Sequence, residues 1–272
     1  MICGVVLDMD GVLWHGDKTL PGFSELFRAL EGLELPFILA TNNATKTVAQ
    51  YAEKFARFGV QVRPEQVLTS PGAAVEHLTE HFAEGTSVYV VGEAALHETV
   101  LAAGFSVIGP DEVRAGQTAS VVVGGLTTTS LSYDLLAMAS LLVRQGAAFV
   151  ATNYDLTYPA EMGQLPGAGA VLSVITRATG VHPTVVGKPH AGMFRAAAAR
   201  LSVRPEEILM VGDRLETDIF GAKEAGFRAA LLLTGVSKRE DIGDADPNVA
   251  PDYVLGDLAA LIQVLRELHA EG

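Results

Sequence analysis

The fold is decided by the stretch Val5-Val6-Leu7-Asp8-Met9-Asp10-Gly11, in which an apolar run ends directly in two aspartates and a glycine. The run does not alternate with polar residues, which is typical of a strand buried on both faces of a parallel sheet. In such sheets the chemistry collects in loops that follow the carboxyl ends of the strands. The stretch therefore predicts a central strand that delivers Asp8 and Asp10 to a sheet edge, although an isolated Asp-x-Asp-Gly is also common in solvated turns.

Similar apolar runs recur along the chain and alternate with segments of helical periodicity. The runs are Val5 to Leu7, Phe37 to Ala40, Val88 to Val91, Val121 to Val123, Ala148 to Ala151, Val185 to Val186, Ile208 to Val211 and Ala229 to Leu233. The helical segments include Ser24 to Leu30, Thr47 to Phe58, Leu131 to Val143, Met193 to Leu201 and a closing amphipathic helix from Asp257 to Glu271. This alternation predicts an α/β protein with a Rossmann-like, doubly wound parallel sheet.

Charge, hydropathy and cysteine content indicate which binding partners and which cellular compartment to expect. The 272 residues carry a formal charge of −13, which argues against binding to nucleic acid, because such binders rely on clustered Lys and Arg. No apolar stretch approaches the roughly 20 residues that cross a bilayer, and the first residues lack the features of a signal peptide. Cys3 is the single cysteine, so no internal disulfide can form. We expect a cytoplasmic protein with neither membrane nor nucleic-acid partners.

Polar clusters at the ends of apolar runs divide the chain into two domains. The clusters are Asp8-Met9-Asp10-Gly11, Thr41-Asn42-Asn43, Gly187-Lys188-Pro189 and Gly212-Asp213-Arg214. The intervening segment from 80 to 183 has no cluster of comparable charge density. We therefore expect a core formed by residues 1–79 and 184–272, with residues 80–183 inserted as a second α/β unit that has its own sheet.

The acidic clusters predict a site for a divalent cation. Asp213 and Asp218 can complete a hard-cation site with Asp8, because Mg²⁺ prefers a few carboxylates together with water. Capping of a helix by Thr217 or Asp218 is compatible with the same sequence. None of the seven histidines is interpreted as a zinc ligand, because no zinc-type spacing is recognised among them.

The remaining two clusters suit a phosphoryl group. Thr41, Asn42 and Asn43 precede a helix expected to start near Thr45, so hydroxyl, amide and backbone N–H groups would form an anion cradle at its N-terminus. Lys188 lies in a constrained loop, where it can neutralise a phosphoryl group, although an isolated lysine is more often solvated. Together the four clusters supply what in-line phosphoryl transfer needs.

In order and spacing these residues resemble the motifs of the haloacid dehalogenase superfamily, with Asp8-x-Asp10 first, Thr41 second, Lys188 third and Gly212-Asp213 with Asp218 fourth. Within it, the chain resembles the NagD-type branch of p-nitrophenyl phosphatases. The resemblance implies that Asp8 attacks phosphorus and that Asp10 acts as general acid and base. It also implies that Asp8, Asp213 and the backbone carbonyl of Asp10 hold Mg²⁺, with Asp218 orienting bound water.

The resemblance also implies that residues 1–79 and 184–272 form the catalytic core and that the inserted unit, residues 80–183, is an α/β cap domain. Residues 151–159, followed by Pro166-Gly167-Ala168-Gly169, are similar to the substrate-facing loop of that branch. Asn153, Asp155 and Tyr158 are the predicted contacts to the leaving group. Because positions in this loop vary among relatives, the resemblance does not identify the substrate. A homodimer formed through the cap is compatible with the branch.

We therefore expect a Mg²⁺-dependent phosphatase that hydrolyses small phosphomonoesters through an aspartyl-phosphate intermediate. Sugar phosphates, nucleoside monophosphates, phosphoglycolate and pyridoxal phosphate are the candidate substrate classes. Two alternatives stay open: a non-catalytic phosphoryl sensor, in which the aspartate keeps its phosphate, and a phosphomutase, in which the phosphate returns to a sugar. The general acid and the large cap disfavour the sensor, and the short interval between Asp10 and Thr41 disfavours the mutase.

Overall fold

The structure, a computed structural model, describes residues 1–160, 162–244 and 250–270. The chain forms two units. The first comprises Met1–Thr41, Val48–Leu68 and Lys188–Gly272, and the second comprises Asn42–Thr47 and Thr69–Gly187. Each unit is built around its own parallel sheet.

Strands and helices alternate along most of the chain. The strands are β1 (Gly4–Asp8), β2 (Trp14–His15), β3 (Lys18–Thr19), β4 (Phe37–Thr41), β5 (Val67–Thr69), β6 (Ser87–Val91), β7 (Ser106–Ile108), β8 (Val121–Gly124), β9 (Ala148–Ala151), β10 (Thr157–Ala160), β11 (Gly163–Pro166), β12 (Thr184–Val185), β13 (Ile208–Gly212), β14 (Arg228–Leu232) and β15 (Tyr253–Leu255). The helices are α1 (Phe23–Gly32), α2 (Val48–Arg57), α3 (Ser70–His81), α4 (Ala94–Ala102), α5 (Pro110–Arg114), α6 (Tyr133–Arg144), α7 (Ala168–Thr179), α8 (Ala191–Leu201), α9 (Phe220–Glu224) and α10 (Leu258–Ala270).

The sheet of the first unit has the order β15-β14-β13-β1-β4-β5. Strand β1 runs parallel to both of its neighbours, β13 and β4, with Leu7 beside Val211 and Asp8 beside Ala40. The carboxyl ends of these three strands therefore reach the same edge of the sheet. Helices cover both faces, which confirms the predicted doubly wound parallel-sheet core.

An aromatic cluster packs against the segment that follows β1. Trp14 is fully buried, and its ring meets that of Phe55 edge-on at 4.9 Å between centroids, with Phe23 and Phe58 at 6.4 and 5.9 Å. Burial of each such side chain contributes about 1.5–3 kcal/mol. The cluster therefore fixes the short β2–β3 hairpin directly beyond Asp8 and Asp10, a hairpin that the apolar pattern of the sequence did not reveal.

The second unit contains a five-stranded sheet in the order β12-β9-β8-β6-β7, with every pair parallel. Its longer segment begins at Thr69, because α3 packs on α4. The sequence interpretation placed the inserted domain at 80–183. The second unit ends at Gly187 because β12 pairs with β9 and Val186 N–H donates to the Ala151 carbonyl at 3.0 Å. The apolar run at Val185 to Val186 thus belongs to the sheet of this unit.

The loop after β8 is fastened by one carboxylate. Glu93 accepts hydrogen bonds from the backbone N–H groups of Thr128 and Thr129 at 2.5 and 3.0 Å, and from both hydroxyls. Partial burial opposes ionisation, but these hydrogen bonds, with Thr128 N–H first, outweigh it and lower the pKa of Glu93 to about 2. The loop is therefore held by a carboxylate that stays charged at neutral pH.

Helix α2 begins at Val48, not near Thr45 as predicted. The side-chain oxygen of Asn43 accepts hydrogen bonds from the backbone N–H and the hydroxyl of Thr45, at 2.8 and 2.7 Å. This local turn competes with the helix and delays its start. At the other end of the chain, α10 agrees closely with the predicted closing helix, whose last predicted residue, Glu271, lies outside the described residues.

Candidate active site

The site begins at the carboxyl end of β1, where Asp8 forms a buried ion pair. Lys188 donates from Nζ to Asp8 Oδ1 at 2.5 Å and lies 2.6 Å from Asp218 Oδ1. The lysine is 4% exposed and Asp8 7%. The structure therefore brings together residues from three of the four sequence clusters.

Asp218 is held by the turn that follows β13. Its Oδ2 accepts the backbone N–H of Arg214 at 3.1 Å, and residues Leu215–Ile219 form a single π-helical turn. A Cβ at Gly212 would lie 2.1 Å from the Asp218 Cβ, which is closer than atoms can approach. Glycine at 212 is therefore needed for Asp218 to fold back toward Lys188.

Asp213 is held between two glycine-containing loops. Its Oδ2 accepts the backbone N–H of Val236 at 2.8 Å, and its carbonyl accepts that of Ser237 at 2.9 Å. A Cβ at Gly235 would stand 1.9 Å from Oδ2, and a Cβ at Gly11, whose φ is +87°, would stand 2.4 Å from it. The first acidic loop and the loop around Gly235 thus close on the same carboxylate.

The electrostatics of the cluster favour a divalent cation. Carboxylate oxygens of Asp8, Asp213 and Asp218 lie within 4.8 Å of one another, against the single ammonium of Lys188. Burial raises the pKa of Asp8 well above its ordinary value, against the opposing effect of Lys188, and burial with the charge of Asp218 raises that of Asp213 to about 6. Burial disfavours the Lys188 ammonium, but Asp218 and Asp8 outweigh it and raise its pKa. Three oxygen ligands with excess negative charge fit a hard cation such as Mg²⁺.

Asp10 differs from this buried cluster because it is exposed. Its Oδ1 accepts a hydrogen bond from the indole N–H of Trp14 at 2.9 Å. The backbone closes the same turn, since Gly11 N–H donates to the Trp14 carbonyl at 2.9 Å. Lys54 stacks on the indole at 4.0 Å and donates to the Gly16 carbonyl at 2.7 Å. Trp14 is therefore both a buried member of the aromatic cluster and the anchor of the Asp10 carboxyl.

Thr41 ends β4 beside β1 and is 3% exposed. The negative charges of Asp10 and Asp8 both act on the phenol of Tyr51, which lies on α2. Burial first, and then Asp10, raise the pKa of Tyr51, whereas a hydrogen bond with Thr41 acts in the opposite direction. The phenol therefore stays protonated at neutral pH. Tyr51 is a site residue that the sequence did not single out, because it lies within a helix and not at a strand end.

Asn42 and Asn43 belong to the second unit, although Thr41 belongs to the first. The Asn42 carbonyl accepts the Ser70 hydroxyl at 2.8 Å, and a Cβ at Gly187 would lie 2.7 Å from Asn42 Oδ1. The Asn43 side chain is engaged in the turn with Thr45. The anion cradle expected from Thr41, Asn42 and Asn43 stays a prediction, and the helix that follows it starts at Val48.

The predicted substrate loop is ordered within the second unit. Asn153 donates to Asp155 Oδ2 at 2.8 Å and accepts the Thr152 hydroxyl at 3.0 Å, while Tyr158 lies in the β10–β11 hairpin. This hairpin was not anticipated from the sequence. The contacts of these side chains with a leaving group stay predictions.

The glycines that follow this loop have a structural reason. Cβ atoms at Gly167 and Gly169 would lie 2.3 and 2.2 Å from the carbonyl oxygens of Asp155 and Tyr154, so the loop backbone rests directly on the start of α7. Gly169 N–H also donates to the Asp155 carbonyl at 2.9 Å. The Pro-Gly-Ala-Gly stretch thus fixes the path of the loop.

Two protein-family models match the parts of the chain that contain the buried acidic cluster and Lys188. Residues 5–106 match the family described as haloacid dehalogenase-like hydrolase, and residues 185–261 match the HAD-hydrolase-like family. The chain belongs to the haloacid dehalogenase-like hydrolases. The two matched segments contain Asp8, Lys188, Asp213 and Asp218, the residues that the structure brings together.

Curated relatives in this family are phosphatases by name. The 5′-nucleotidase YutF of Bacillus subtilis is 35% identical over 241 residues, which cover 89% of this chain and 91% of that protein. The acid sugar phosphatase of Staphylococcus aureus is 35% identical over 262 residues, which cover 96% and 97%. The haloacid dehalogenase-like chain described here is accordingly a phosphoric monoester hydrolase.

Solved structures extend the likeness to the whole fold. NagD from Escherichia coli superposes with a TM-score of 0.85 at 34% identity, covering 95% of this chain and 98% of its own. A glycerol phosphate phosphatase from Mycobacterium tuberculosis, in complex with magnesium, has a TM-score of 0.85 at 35% identity, with coverage of 96% and 76%. The predicted resemblance to the NagD-like branch is confirmed. None of the helices in the described ranges has the length and apolar character that a membrane crossing requires.

Proposed function

We propose that this protein is a Mg²⁺-dependent phosphatase that hydrolyses small phosphomonoesters through an aspartyl-phosphate intermediate on Asp8. The observation that carries the proposal is the buried contact of 2.5 Å between Asp8 and Lys188, within a cluster of three carboxylates. A carboxylate can attack a phosphate dianion only where positive charge offsets their repulsion. Lys188 supplies one positive charge. Because the cluster contains three carboxylates, we infer that a bound cation supplies further positive charge.

In the first step, an oxygen of Asp8 forms a bond to phosphorus while the bond between phosphorus and the ester oxygen breaks. Asp10 gives its proton to the departing oxygen. In the second step, Asp10 takes a proton from water, the water oxygen bonds to phosphorus, and the bond between phosphorus and Asp8 breaks. The products are inorganic phosphate, the free alcohol and the regenerated carboxylate.

Asp8, Asp213 and the backbone carbonyl of Asp10 would hold Mg²⁺, which when bound would supply positive charge to offset the negative charge of the phosphoryl oxygens. Asp218 keeps Lys188 in place and orients bound water. Lys188 and Thr41 bind the transferring oxygens. Asn42 and Asn43 are proposed to assist from the second unit, in addition to their local hydrogen bonds.

The cap selects the leaving group in this proposal, with Asn153, Asp155 and Tyr158 as its contacts. The relatives are named as a 5′-nucleotidase, an acid sugar phosphatase and a glycerol phosphate phosphatase, so the proposal stays at the class of small phosphorylated metabolites. Exclusion of water from the acyl phosphate is the advantage of a cap that covers the ester. A homodimer formed through the cap is part of the same proposal.

The test is phosphate release from a panel of sugar phosphates, nucleoside monophosphates, glycerol phosphate, phosphoglycolate and pyridoxal phosphate. Each substrate is assayed with Mg²⁺ and with a chelator. An Asp8→Asn variant purified in parallel controls for contaminating phosphatases. We expect release that is lost with the chelator and in the variant. A phosphoprotein that forms without turnover would instead support the sensor, and transfer between sugar positions would support the mutase.

A further inference from the structure

A second cluster of metal-ligating side chains lies on the last turn of α3, in the second unit. His77, Glu80 and His81 each place one ligand atom within 4.8 Å of the others. Residues at positions i, i+3 and i+4 share one face of a helix, so the spacing brings the three together without help from another element. The sequence interpretation, which recognised no zinc-type spacing among the histidines, overlooked this His-x-x-Glu-His sequence.

The cluster is partly preorganised. One ring nitrogen of His81, Nδ1, is 2.8 Å from the backbone carbonyl of His77, so Nδ1 carries the proton and Nε2 presents its lone pair. A hydrogen bond of this kind fixes the tautomer and the orientation of ligating histidines. The two imidazole rings already lie 4.2 Å apart at an angle of 36°. With Nδ1 donating to the carbonyl, Nε2 is the nitrogen of His81 that can accept a cation.

The helix that carries the cluster is anchored at both ends. Its N-cap, Thr69, accepts the Gly72 N–H at 3.2 Å, and Phe82 N–H donates to the Leu78 carbonyl at 2.8 Å. Leu78, between the two histidines in sequence, is fully buried. The burial of Leu78 thus anchors the same turn of the helix from which Glu80 and His81 reach solvent.

We propose that His77, Glu80 and His81 bind a transition-metal cation of the Zn²⁺, Ni²⁺ or Co²⁺ class. Two imidazole nitrogens and one carboxylate oxygen suit these borderline ions, whereas Mg²⁺ prefers an all-oxygen set such as the aspartate cluster. Glu80 and His81 are exposed, so water can complete the coordination. The cation would bridge the final turn of α3 and leave the phosphatase chemistry of Asp8 unchanged.

The test is titration of the untagged protein with Zn²⁺ by calorimetry, in excess Mg²⁺ so that the aspartate cluster is filled. We expect one saturable equivalent. His77→Ala and His81→Ala should each weaken binding by more than about 10-fold, the lower limit of what loss of even a supporting group costs at metal sites. Acidification should also weaken binding, because a ligating imidazole must be neutral.

Two variants make the result interpretable. His269→Ala removes an exposed histidine from the last turn of another helix, α10, and should leave Zn²⁺ affinity unchanged. Asp213→Asn disrupts the acidic cluster and should also leave it unchanged. The proposal is overturned if the wild-type protein shows no saturable equivalent, if both α3 variants bind as tightly as the wild type, or if only Asp213→Asn loses binding. Circular dichroism of each variant confirms that the helices are intact.

Discussion

Trp14→Phe removes the indole N–H that holds Asp10 and keeps an aromatic ring in the cluster. The bond is 2.9 Å long, and Asp10 is otherwise exposed, so its loss frees the carboxyl to rotate away from the leaving group. Because Asp10 is proposed to protonate the departing oxygen, the variant should lose rate in that step.

The magnitude follows from the type of bond. Asp10 must be protonated to act as the acid, and a hydrogen bond between neutral groups is worth about 0.5–1.5 kcal/mol, which corresponds to about 2- to 13-fold in rate if the whole bond is needed to position the acid. This range is an upper limit, because Asp10 still reaches the productive position part of the time. The smaller ring also leaves a void beside Phe55, which should lower stability by about 1–3 kcal/mol without acting on the acid itself.

The assay is kcat on an alkyl and an aryl phosphate of similar size. Good aryl leaving groups need little protonation, so the loss should be concentrated on the alkyl ester. Phe55→Leu is the matched control, because it perturbs the same cluster at 4.9 Å from Trp14 and leaves the indole N–H in place.

The reasoning would be refuted if Trp14→Phe lost the same factor on both esters, or if Phe55→Leu reproduced its selectivity. If the wild-type protein hydrolysed neither ester, the proposed function itself would be refuted. The two failures are therefore distinguishable by the same set of assays.

Other predictions concern the cation site and the second unit. Gly235→Ala should displace the Asp213 carboxylate, because the new Cβ would lie 1.9 Å from Oδ2, and we expect a higher Mg²⁺ requirement in activity titrations; an unchanged requirement would contradict this. Glu93→Ala should destabilise the second unit by about 1–2 kcal/mol in urea unfolding at neutral pH, since the N–H groups of Thr128 and Thr129 lose their acceptor. The pKa of Glu93 is lowered from 4.5 to about 2, so the stability that its carboxylate contributes is complete above pH 4.5 and should vanish as the pH falls toward 2. If the free energy of unfolding differed between wild type and variant by the same amount at every pH, this explanation would be contradicted.

The sequence was most informative where chemistry follows directly from strand order. Asp8, Asp213 and Lys188 stand immediately after apolar runs, and the carboxyl ends of parallel strands converge for topological reasons. The convergence of Asp8 and Asp213 was therefore predictable without coordinates. The argument does not extend to Lys188, because β12, the strand before it, pairs in the other sheet. The boundaries between the two units were harder to predict from the sequence, because α3 and β12 are assigned to the second unit only by their contacts with α4 and β9.

The features that the sequence did not reveal depend on close approaches between distant segments. Gly235 is required because Asp213 packs against its backbone, and nothing in the local sequence indicates this contact. The indole of Trp14 could be seen to be apolar, but its hydrogen bond to Asp10 depends on the β2–β3 turn. Asn43 shows the opposite case, since a local side-chain turn overrode the predicted helix start.

The most direct test of the account is to trap the phosphoryl group on the protein. An Asp10→Asn variant, slowed in breakdown of the intermediate, is mixed with a good substrate and Mg²⁺, quenched in acid and reduced with borohydride, which converts an aspartyl phosphate to homoserine. Peptide sequencing by mass spectrometry should then find homoserine at position 8 and nowhere else, and none in a variant that also carries Asp8→Asn. Phosphate release by Asp8→Asn at the wild-type rate, or modification at another residue, would contradict the central claim.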